Sequence, residues 1–139
     1  MSAPQPRPSK ADDPRRLLRS MQPVLNGGVY VYTILPAGCA PDAADILATF
    51  REAEGLTAIM PEAVAHKAGL PILFRCAWIT LTVDSALDAV GFTAAFSRAL
   101  GDAGISCNVM AAAHHDHVFV PFERAAQALD CLCALQASA

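Results

Sequence analysis

The sequence predicts an α+β fold made of two copies of one β-α-β-β-α unit, with antiparallel sheets and helices packed on one face. Three observations predict it: short runs with period-two alternation, apolar stripes at helical spacing closed by glycine, and an internal repeat. In the repeat, residues 56–60 followed by Pro61-Glu62-Ala63 match residues 116–120 followed by Pro121-Phe122-Glu123, an offset of 60. Each is a short strand stopped by a proline that opens a helix. Such a plan is the split βαβ, ferredoxin-like arrangement.

Residues 1–10 are polar, carry Pro4, Pro6 and Pro8, and hold no apolar signal-peptide core, so 1–13 is expected to be a disordered tail with order starting near Pro14. Residues 29–35 are rich in β-branched and aromatic side chains and follow Gly27-Gly28, which predicts a strand. Residues 46–51 put Ile46, Ala48 and Phe50 on one face, and Gly55 turns the chain into the run 56–60. Residues 61–68 are a short helix with proline in its first turn and Gly69 beyond its end. In 78–83, Ile79, Leu81 and Val83 share one face while Trp78, Thr80 and Thr82 share the other.

Residues 91–103 carry one apolar stripe, Phe92, Ala95, Phe96, Ala99, Leu100 and Ala103, with Gly104 placed to end the helix. Residues 105–112 and 117–120 are expected to pair as a hairpin turning at His115-Asp116. The last helix, 122–135, presents Phe122, Ala125, Ala126, Leu129, Leu132 and Cys133. The opening strands, which begin at Val29 and Ala77, are offset by only 48, so the missing length falls in 36–45. That connection is too short and too rich in proline and glycine for a full helix, which leaves the first unit with a stunted first helix. The expected division is 14–75 and 76–139, with 71–83 as the seam. Units of about 60 residues are marginal alone, so the two should share a core.

With 54% hydrophobic and 17% charged residues, the chain can bury a core and is not generally disordered. A net charge of −3 argues against nucleic acid as a partner and against a polybasic membrane-surface module. Residues 20–41 are uncharged but broken by Pro23, Gly27, Gly28 and Pro36, so no membrane span is expected. The 5 cysteines (Cys39, Cys76, Cys107, Cys131 and Cys133) are odd in number and form no C-x-x-C pair. Reduced structural thiols in the cytoplasm are the expectation, without metal or cofactor. No hydrolase, metalloprotease, P-loop or dinucleotide motif is present, so the chain is not expected to be an enzyme.

Chemistry concentrates in two places. The loop 84–91 follows a strand and opens a helix, offering Ser85, Asp88 and free backbone N–H groups at Gly91. Such a helix start suits a carboxylate, Asp88 could meet an ammonium, and Asn108 on the next strand could bond either. The plainer alternative makes Ser85 or Asp88 the helix cap and Asn108 the end of a turn. The run His114-His115-Asp116-His117 concentrates metal-ligating types, but its spacing fits no common zinc pattern, and a solvated or internally bonded turn is favoured over a ligand-contacting edge or a metal site.

The run from Val83 to Met110, with its polar loop, Gly91 at a helix start, Phe96 and Leu100, and Ala103 to Asn108 entering a strand, resembles an ACT domain, a small-molecule-binding regulatory module. Over residues 25–135 the chain resembles a bacterial family of paired ACT domains of unassigned activity. That closer likeness lies in F-R-E-A-E-G-L-T at Phe50, W-I-T-L-T-V at Trp78, A-V-G-F at Ala89, G-I-S-C-N at Gly104 and H-D-H-V-F-V-P at His115. The pairing is also similar to the regulatory part of aspartate kinases and to cytosolic arginine sensors. The resemblance implies a non-catalytic sensor holding a small molecule, an amino acid above all, at an interface between units. The implied ligand-binding set is Ser85, Asp88, Val90, Gly91, Phe92 and Asn108. The alternative is a ligand-free interaction module, and exposed sheet edges make a homodimer the expected assembly.

Overall fold

The computed structural model describes residues 13–38 and 41–139; Cys39 and all of the expected tail except Asp13 lie outside these. Seven strands form one antiparallel sheet: β1 (Gln22–Leu25), β2 (Tyr30–Leu35), β3 (Ala48–Glu52), β4 (Gly55–Pro61), β5 (Phe74–Thr82), β6 (Asn108–Ala111) and β7 (Asp116–Pro121). Among the described residues four helices, α1 (Pro14–Ser20), α2 (Glu62–Lys67), α3 (Phe92–Asp102) and α4 (Ala125–Ser138), pack on one face of it. The strand order is β3-β4-β2-β5-β7-β6, with β1 beside β5.

This order is two ferredoxin-like units joined at β5, as the repeat predicts. In the first unit β5 pairs with β2, β2 with β4 and β4 with β3. In the second, β1 pairs with β5, β5 with β7 and β7 with β6. The stunted first helix is a single 3-10 turn, Ala43–Asp45. No helix among the described residues is long and apolar enough to cross a membrane.

The N-terminal segment packs on the second unit. Asp13 accepts the Arg15 N–H at 3.1 Å, and Pro14 opens α1 at a position where no amide donor is needed. Leu17, Leu18 and Met21 then bury themselves with Ile79, Phe92, Phe96 and Leu132 in the core of the second unit. β1 supplies that unit's fourth strand, and Pro23 is tolerated because β1 has a partner on one side only. Between β1 and β2 the chain bulges, with Asn26 N–H on Trp78 O at 2.9 Å and Gly28 at φ +96°. The bulge lets both strands run along a single edge of β5.

Three local expectations need correction. The hairpin turn spans residues 112–115, where Ala112 N–H donates to His115 O at 3.1 Å; Asp116 belongs to β7, paired with Ala111 and buried. Ile46 does not share a face with Ala48 and Phe50, because the 3-10 turn ends at Ile46 and sends it into the cluster under α2. In the last helix Ala126 and Cys133 are exposed, while Ala128 and Leu132 are buried. Its first turn, Phe122–Arg124, is 3-10, and each such residue advances the side chains about 20° more than an α-helix does.

Candidate functional site

The face of the sheet away from the helices carries every aromatic residue of the strands: Tyr30, Tyr32, Phe50, Phe74, Trp78 and Phe119. Alternation along each strand puts them there, since Val31, Ala58, Ala77, Ile79 and Val118 take the helix side. Tyr30 meets Trp78 edge-on at 5.3 Å, Tyr32 meets Phe119 edge-on at 5.8 Å, and Phe119 stacks on Trp78 at 6.5 Å.

The sheet curls around this aromatic floor. Five strand spacings would put β3 and β6 roughly 24 Å apart in a flat sheet. Instead the two outer strands line a common cavity of about 340 Å³, with Phe50 and Thr49 from β3, Asn108 and Met110 from β6, and Tyr32 and Thr57 between them. A second cavity of about 200 Å³ adjoins it, sharing Ala48 and Met110 and walled by Leu47, Trp78, Ala111, His117 and Phe119. Among the described residues, no Asp, Glu, Lys or Arg lines either one. Among the described residues β3 and β6 each pair on one side only, so their outer backbone N–H and C=O groups have no strand partner there beside the cavities.

One polar network crosses this face. The Trp78 indole N–H donates to His117 Nδ1 at 3.0 Å, Thr80 Oγ1 lies 3.1 Å from the same nitrogen, and Asn26 Nδ2 donates to Thr80 Oγ1 at 2.9 Å. An indole N–H can only donate, so Nδ1 must be the bare nitrogen and the ring proton sits on Nε2. Burial lowers the His117 pKa, His115 lowers it further, and Asp116 opposes both. Cys107, which lines the larger cavity, is pushed up to about 11 by burial, and Cys76 beneath the floor to about 12. Both are protonated thiols rather than nucleophiles at neutral pH.

The structure separates the residues expected to share a ligand. Asn108 lies on the aromatic face at the start of β6, its Nδ2 donating to Phe119 O at 3.4 Å. Ser85 lies at the other end of β6, beside Ala111, where its hydroxyl donates to buried Asp116 at 3.5 Å. Three residues of strand, about 10 Å, separate the two ends. The cavity at Ser85, bounded by Phe92, Thr93 and Ala111, holds about 40 Å³, room for a water and little more. Asp88 and Val90 are exposed, and Phe92 is buried in the core.

Neither Ser85 nor Asp88 caps α3. The N-cap is Gly91 at φ +100°, with no side-chain hydrogen bond. A Cβ there would come within 3.2 Å of Pro14 Cγ, so the start of α1 fills the space beside Gly91. Of the histidines, His114 is exposed and His115 Nδ1 lies 3.1 Å from Val83 O. The Trp78–His117 bond escaped the sequence reading although its signal was present. Trp78 and Thr80 share a face, and His117 alternates with two buried valines on the strand opposite.

Comparison with known proteins places this architecture. Residues 12–77 and 73–134 each match a family profile described as an ACT domain. A crystal structure of a protein of unknown function from Vibrio cholerae, described as a possible transport protein, is 43% identical, covers 88% of this chain and 94% of its own, and superposes with a TM-score of 0.78. An Agrobacterium tumefaciens protein at 16% identity (84% and 89% covered, TM-score 0.68) shares the fold. So does the ligand-free regulatory subunit of aspartate kinase from Thermus thermophilus at 12% identity (84% and 96%, TM-score 0.63). No curated protein matches the sequence. With two matched domains covering most of its length and a relative at 43% identity, the chain belongs to the family of tandem ACT domain proteins.

Proposed function

We propose that the chain is a non-catalytic regulatory protein that binds an amino acid between its two ACT units, in the cavity bounded by β3 and β6. One observation carries the reading: the second strand of each unit contributes an unpaired edge to a common space of about 340 Å³, within the usual range of small-ligand pockets. Backbone N–H groups can meet a carboxylate there and carbonyls an ammonium, with Asn108 serving either. A zwitterion needs no net protein charge, and the cavity offers none. The regulatory subunit of aspartate kinase, which has the same fold, supports the regulatory part of the reading. Protonated thiols suit binding more than nucleophilic catalysis, and the free thiols of Cys76, Cys107, Cys131 and Cys133 fit a reducing compartment such as the cytoplasm.

A second reading, contact with another copy of the chain, is favoured by Leu87 and Val90, which are 72% and 82% exposed on the loop before α3. Self-association would place this loop, with Ser85 and Asp88, at the interface between copies, and the two readings are compatible.

Thermal-shift measurements with the twenty amino acids test the proposal, because a ligand at a hundred times its Kd adds about 2.7 kcal/mol of stability. Asn108→Ala should weaken the response while Asp88→Ala leaves it intact. The reverse pattern would move the site to the loop before α3.

A further inference from the structure

We infer that the smaller cavity is a side-chain compartment that selects an uncharged ligand group carrying an oxygen acceptor, as in glutamine or tyrosine, through the Nε2–H of His117. The inference rests on the proposed amino-acid site and names what that site would prefer.

The compartment adjoins the larger cavity through Ala48 and Met110, so a ligand held by the strand edges can extend its side chain into it. Its walls are apolar apart from His117: Leu47, Ala48, Trp78, Met110, Ala111 and Phe119. A flat or unbranched group therefore gains apolar burial, with the Trp78 and Phe119 rings as one wall.

His117 makes the compartment more than greasy. Its Nδ1 is taken by Trp78 and Thr80, while Nε2 has no partner among the described residues. The indole fixes the proton on Nε2, so the ring, which lines the cavity, carries a donor and never an acceptor at its free nitrogen. A ligand oxygen can satisfy that donor, whereas an aliphatic side chain would strand it.

Charged groups are disfavoured for a separate reason. A lysine or arginine side chain finds no carboxylate, because Asp116 points to the helix side of β7 and contacts Ser85 instead. A glutamate side chain finds one neutral donor and no cation, too little to offset desolvation of a carboxylate. The nearly isosteric pair glutamine and glutamate therefore separates this compartment from a general amino-acid site.

Isothermal titration of the full chain with glutamine, tyrosine, leucine, glutamate and arginine tests the inference. Glutamine or tyrosine should bind about fivefold or more tightly than leucine, the value of one neutral hydrogen bond, and far more tightly than either charged amino acid. His117→Leu should abolish the preference over leucine. Because that change also strands the Trp78 N–H, a second measurement uses the unaltered protein: ¹⁵N-histidine NMR should show His117 protonated on Nε2, with that proton shifting on binding. Binding of none of the five would overturn both this inference and the proposed function. Binding with equal affinity for glutamine and leucine, a preference for a charged amino acid, or an unmoved Nε2 signal would overturn this inference alone.

Discussion

The indole N–H of Trp78 on β5 lies 3.0 Å from Nδ1 of His117 on β7, a diagonal bond across the strand pair that joins the aromatic floor to the second ACT unit. Replacing the indole by a benzyl group, Trp78→Phe, keeps a ring on the floor and removes the N–H that dictates the tautomer. Stability should fall by about 1 kcal/mol in denaturant unfolding, and ¹⁵N NMR should show His117 as a mixture of tautomers. A single unchanged tautomer would mean that Thr80 orders the ring.

His117 also predicts a pH dependence. Its folded-state pKa is lowered, by burial first and by His115 second, against the influence of Asp116. Stability from the neutral ring is therefore present above the unfolded value near 6.5 and declines as pH falls below it, with a slope of at most about 1.4 kcal/mol per pH unit. Urea unfolding between pH 7.5 and 5 should show this decline, and His117→Gln, which still accepts from Trp78, should flatten it.

Asp116 predicts the opposite sign. Burial raises its pKa, against Ser85 and the two neighbouring histidines, so its charged form disfavours the fold and the cost grows as pH rises through the folded value. Asp116→Asn keeps an acceptor for Ser85 and removes the charge. Its melting temperature should exceed that of the wild type at pH 7 and approach it at pH 4. A lower melting temperature at pH 7 would show that the carboxylate is needed.

The N-terminal segment should behave as part of the second unit. Met21 is fully buried among residues of that unit, so Met21→Ala should cost about 2–5 kcal/mol. NMR shift changes should concentrate in 77–135 rather than in 30–70. Gly91→Ala, which forces a Cβ against Pro14 at φ +100°, should cost about 1–2 kcal/mol and loosen α1 over α3. A neutral Gly91→Ala would mean that α1 does not hold its place there.

The fold was open to sequence reasoning where local patterns coincide with burial. The Pro61 and Pro121 repeat, the stripe from Phe92 to Ala103 and the alternation at Trp78–Val83 each report one face of one element. The exchange of α1 and β1 into the second unit was not open in the same way. Asp13-Pro14 is a helix-start signal, yet which core receives Leu17 and Leu18 depends on pairing across more than fifty residues, from Leu25 to Ile79. Site reasoning met the same limit. Asn108 is legible as a polar side chain entering a strand, whereas the cavity it lines exists only because the sheet curls β3 toward β6, which no spacing encodes.

The central claim, a ligand held between the two units on the aromatic face, is tested most directly by mapping a bound amino acid on ¹H–¹⁵N NMR spectra of the full chain. The account predicts shifts clustered at Thr49, Phe50, Asn108, Met110 and the Trp78 indole, from strands of both units at once. Shifts confined to residues 84–91, or an unchanged spectrum with every amino acid at millimolar concentration, would contradict it.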